Sequence, residues 1–67
     1  MEIKNYIGEQ MKGKRLRFKC SCLFPFDFIG TIKDYIILNN EIIFNVDNGS
    51  KIIKIGENHP NLEIIEV

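Results

Sequence analysis

Alanine and tryptophan are both missing from this chain, while isoleucine occurs thirteen times. Alanine is the best helix former and β-branched isoleucine suits a pleated sheet, so the expected fold is mainly β. No apolar run approaches the roughly 20 residues of a membrane-spanning helix. The segment from Met1 to Lys14 has no apolar core of the kind a secretory leader carries, so a cytoplasmic protein without membrane contact is expected. Cys20 and Cys22 are too few and too close together for a disulfide framework. They are expected to stay reduced in that compartment. The five glycines are scattered, which excludes a phosphate-cradling loop.

Sixty-seven residues make one domain. A chain of that size buries only about 60% of its unfolded surface, so it gains from self-association. Net charge is zero, yet the charges are segregated. Lys4, Lys12, Lys14, Arg15, Arg17, Lys19 and Lys33 lie in the first half. Most of the acids lie in the second, against only Lys51 and Lys54. Neutrality weakens a nucleic-acid reading, and segregation partly restores it if the cations share a face.

Ile3, Ile7 and Met11 fall at helical spacing, and Gly13 stops the run; residues 1–13 are read as a helix weakened at Gly8. From Arg15 to Cys22 the pattern alternates, with Leu16, Phe18, Cys20 and Cys22 on one face and Arg15, Arg17 and Lys19 on the other. Phe24-Pro25 interrupts it. A second strand runs from Phe26 to Leu38, with a bend expected at Gly30 and a change of phase near Asp34. Asn39-Asn40 reads as a tight turn. Glu41 to Val46 reads as a strand with Ile42, Phe44 and Val46 inward. Asn48-Gly49 reads as a type I′ hairpin turn. Lys51 to Ile55 and Leu62 to Val67 complete the strands, with Ile53, Leu62 and Ile64 inward. Residues 14–67 are therefore expected to form a small, five-stranded antiparallel barrel within a single domain, 1–67.

The stretch Gly30-Thr31-Ile32-Lys33-Asp34-Tyr35-Ile36-Ile37-Leu38-Asn39-Asn40 resembles the first signature of Sm-like proteins at Gly30, Ile32, Tyr35 and Asn40. Ile53-Lys54-Ile55-Gly56-Glu57-Asn58 is loosely similar to the second. The resemblance implies an N-terminal helix, five bent strands and assembly into rings. It also implies an RNA pocket, but the family's aspartate, base-stacking residue and arginine fall here on Ile36, Leu38 and Ile55. Asn40 alone carries over as a binding residue, because an apolar pocket cannot read a base edge.

Lys12, Lys14, Arg15, Arg17 and Lys19, with Asn40, are the candidate nucleic-acid residues. Alternate strand cations project every 6–7 Å or so, comparable to phosphate spacing. The competing role for these charges is protection of an edge strand. Alternation sends Ile43, Ile52 and Ile65 outward, which makes them the candidate interface. A zinc site usually needs four ligands. One chain offers two thiols and a distant His59, and two chains could supply four thiolates across a twofold axis. Buried cysteine behaves as a small hydrophobe, so no metal and no cofactor are expected. Paired nucleophile and base groups are missing, so neither an enzyme nor a small-molecule substrate is expected. The leading expectation is a binding or assembly module contacting another copy or a protein partner. An RNA- or DNA-binding Sm-like protein is the alternative, and a small inhibitor or regulator is a third reading.

Overall fold

Helix α1 (Ile3–Met11) is followed by five strands: β1 (Arg15–Cys20), β2 (Phe26–Leu38), β3 (Glu41–Asp47), β4 (Ile52–Gly56) and β5 (Leu62–Glu66). They are seen in a computed structural model that describes residues 3–67, so Met1 and Glu2 of the expected helical segment lie outside the described residues. The strands form one antiparallel sheet in the order β4-β3-β2-β1-β5. Strands β4 and β5 do not pair with each other, and the sheet is not closed.

Period-2 alternation builds the core. Leu16 and Phe18 of β1, Ile32 of β2, Ile42, Phe44 and Val46 of β3 and Ile55 of β4 are all buried and in one cluster. Phe18 stacks on Phe28 with ring centroids 5.5 Å apart. At β5 the burial thins: Leu62 is half-buried against the core, and Ile64, expected inward, is 38% exposed. Strand β5 has a neighbour on one side only, which leaves its inward residues partly uncovered, whereas Ile55 on the other end strand, β4, stays buried.

Strand β2 organises the sheet. Phe26 to Thr31 pair with β1, and Thr31 to Leu38 pair with β3. The register shifts between Ile32 and Asp34, matching the expected phase change. Such a bulge bends the strand and lets its two halves serve different neighbours. Gly30, expected to be the bend, pairs in register with Leu16. Its role is close packing: a Cβ there would lie 2.5 Å from Val46 Cγ1 and 3.0 Å from the Asp47 carbonyl.

Of the expected stripe only Met11 packs against the core. Ile3 is 75% exposed and Ile7 41%, while Gly8 is the buried helical residue. The missing Cβ explains this, since an atom there would overlap the Tyr35 ring, 2.6 Å from its Cδ2 and Cζ. The glycine that weakens the helix in isolation is what lets it dock. Tyr35 Oη reaches Glu9 Oε2 at 2.8 Å and the Asn5 carbonyl at 3.2 Å. Lys4 Nζ donates to Glu57 Oε2 at 3.0 Å, and the same carboxylate accepts the Ile42 amide at 2.6 Å. These bonds, the Ile42 amide foremost, hold the Glu57 carboxyl below its usual range.

Both turns are asparagine chemistry. Asn39 and Asn40 adopt φ of 51° and 63°, the left-handed conformation expected of them. The β3–β4 connection is not a type I′ turn, because Gly49 takes a positive φ (97°) and Asn48 does not. Side chains close it instead: Asp47 Oδ1 accepts the Gly49 amide, and Asn48 Oδ1 accepts those of Ser50 and Lys51.

Candidate functional site

The outer face of β1 carries Arg15, Arg17 and Lys19, all exposed. This strand lies between β2 and β5, so its charges do not guard an edge. The register decides what surrounds them. Arg17 is flanked by Ile29 on β2 and Ile65 on β5, and Lys19 by Asp27 and Glu63. The strip is thus a mixed face in which cations alternate with acids and isoleucines. Arg17 makes a two-pronged bond to Asp27, Nε to Oδ1 at 2.8 Å and Nη2 to Oδ2 at 2.6 Å. That bond raises the Arg17 pKa and holds Asp27 below the usual carboxylate range. Lys12 lies 3.9 Å from Asp34. Arg15 and Lys33 border a shallow cleft beside Asn48 and Gly49. Lys14 is exposed on the turn after α1. Asn40 sits apart from all of these in the β2–β3 turn, where its positive φ accounts for the residue type.

The candidate interface isoleucines divide. Ile52 is 53% exposed on β4 and Ile65 41% on β5, one at each end of the sheet. Ile43 is half-buried on β3, opposite Ile36. Ile64 and Val67 add further exposed apolar surface at the β5 end. Among the described residues, neither β4 nor β5 has a strand on its outer side.

A third place went unforeseen. Strand β1 stops at Cys20, so Cys22 lies in the β1–β2 connection rather than on the strand. The two Cα atoms are 5.5 Å apart and the sulfurs are in bonding contact, so the cysteines expected to be free are joined. His59, distant in sequence, has Nε2 3.6 Å from Cys22 Sγ. Pairing of β1 with β5 causes this, because Cys20 stands opposite Leu62 and the loop before β5 therefore crosses the end of β1. The imidazole tilts against Phe26 at 5.6 Å. Spacing along the chain gives no sign of this meeting, and only the strand order reveals it.

No family model, curated protein or solved structure matches the chain. No helix among the described residues is long and apolar enough to cross a membrane.

Proposed function

We propose that the chain is a non-catalytic assembly module whose copies join through the outer edges of β4 and β5. The observation that carries this reading is the pair of unpaired edges at opposite ends of one sheet, each bearing exposed isoleucine. An unpaired edge presents a row of free amides and carbonyls to any second strand. Two different edges on one molecule make a head-to-tail contact, and such contacts close into rings when the rotation allows. The bulged β2, the five-strand order and the Gly30-to-Asn40 pattern support kinship with Sm-like barrels. In sedimentation velocity the wild type should run larger than one chain. Ile52→Lys and Ile65→Lys should each run as one chain with unchanged far-UV circular dichroism. A wild type that stays a single chain at high concentration would overturn the reading.

A second reading, RNA or DNA binding, draws on the cleft where Arg15 and Lys33 converge beside Asn48 and Gly49. Binding there should weaken steeply with salt and fall when Arg15 is changed to glutamate. Absence of binding to mixed oligonucleotides at low salt would remove it.

A further inference from the structure

We infer that Cys20, Cys22 and His59, with both cysteines reduced, form a zinc site of two thiolates and one imidazole. Their ligand atoms all lie within 4.8 Å of one another. A tetrahedral zinc ion with sulfur at about 2.3 Å and nitrogen at about 2.0–2.1 Å holds the two about 3.6 Å apart. The Cys22 Sγ to His59 Nε2 separation is 3.6 Å. Two thiolates on the same ion stand about 3.8 Å apart, a spacing within reach of side-chain rotation once the sulfurs are released from each other.

The fold holds these groups in place without help from the ion. Cys20 is buried at the end of β1, and Cys22 and His59 are half-buried beside it. The histidine backbone is tied on both sides, its amide donating to the Gly56 carbonyl at 3.1 Å and its carbonyl accepting the Leu62 amide at 3.3 Å. Asn61 takes a φ of 59°, which turns the chain into β5. Phe26 backs the imidazole ring. An open cleft bordered by Lys19, Cys20, Cys22 and Phe26 gives an ion access. The fourth position is left to water, since the cluster contains three ligands among the described residues.

Joined sulfurs and zinc exclude each other. Two electrons and two protons convert the Cys20–Cys22 bond into two thiols. A dithiol supplies both and leaves as its own disulfide. A phosphine supplies the electrons and takes the oxygen of a water molecule to leave as its oxide, and that water supplies the protons. In the joined state the Pro60 carbonyl lies 3.4 Å from Cys20 Sγ and the Phe24 carbonyl 3.2 Å from Cys22 Sγ, so each released thiol has an acceptor at hand. Each thiol then loses its proton on binding zinc.

The test is anaerobic titration of the phosphine-reduced chain with cobalt(II), read by thiolate-to-metal absorption, followed by displacement with zinc. One ion should bind per chain, and the oxidised chain should bind none. Loss of an outer partner of a ligand costs 10–100-fold in affinity, so loss of a ligand itself in Cys22→Ser or His59→Ala should cost more than about 100-fold. Both residues are half-buried, and circular dichroism checks that the variants fold. Three results would overturn the inference: no thiolate absorption in the reduced wild type, unchanged affinity in either variant, or one ion shared by two chains.

Discussion

Strand β2 pairs with β1 along its first half and with β3 along its second, whereas β4 and β5 each have a single partner strand, and isoleucine can be compared in the two settings. Ile32 on β2 is fully buried, while Ile52, Ile64 and Ile65 at the ends of the sheet are 38–53% exposed. Exposed isoleucines also stand on β2, at Ile29, Ile36 and Ile37, and Ile55 on β4 is buried, so the face a residue takes decides between core and surface more than strand order does. In a chain this small the core cannot cover every isoleucine its composition supplies. What sets β4 and β5 apart is that their exposed isoleucines lie beside an outer edge with no partner strand among the described residues, and that coincidence is the physical basis of the assembly proposal.

The largest effect should come from the middle of this contrast. Phe18→Ala removes a fully buried ring, a change that costs about 3–5 kcal/mol. A core this size rarely supplies more than about 3–5 kcal/mol in total. Thermal melting of the variant should therefore show no cooperative transition at ambient temperature. A cooperative melt near that of the wild type would show that stability resides elsewhere.

Next in size is the fastening of the helix to the sheet. Glu57→Ala removes a carboxylate bonded to Lys4 and to the Ile42 amide, and bonds to charged groups contribute about 1.5–3 kcal/mol. Because the folded pKa is lowered, the stabilisation is present above the ordinary value of 4.5 and is lost as pH falls through the lowered folded value. Glu57→Gln should flatten the pH dependence of the melting midpoint in that acid range. An unchanged acid profile would show that the Ile42 and Lys4 bonds do not form in solution.

The smallest effect concerns the outer face. Asp27→Asn frees Arg17 from its exposed pair, and it should leave the melting midpoint in place. If the β1 face binds nucleic acid, the variant should bind oligonucleotides more tightly at low salt. Equal or weaker binding would leave this face with no such role.

Much of the sheet was legible along the chain. The alternation of Leu16, Phe18 and Cys20, and of Ile42, Phe44 and Val46, is strictly local and survives folding unchanged. The phase change near Asp34 was readable because inward positions fall out of step there. The helix face was not, since Gly8 looks like a defect until the Tyr35 ring is set against it. Placing β1 at an edge failed for a related reason, as local pattern does not fix which strands are neighbours. The same limit hid the meeting of His59 with Cys22 and the acids that flank the basic strip. Closure was likewise a matter of long-range geometry, and the sheet leaves β4 and β5 apart.

Those two edges give the most direct test. Ile52→Lys disables β4 and leaves β5 able to pair, and Ile65→Lys does the reverse. Each variant alone should sediment as a single chain. Mixed in equal amounts they retain one working β4 and one working β5, so the account predicts a one-to-one complex of two chains. A mixture that stays monomeric beside an assembled wild type would contradict head-to-tail pairing of the two edges.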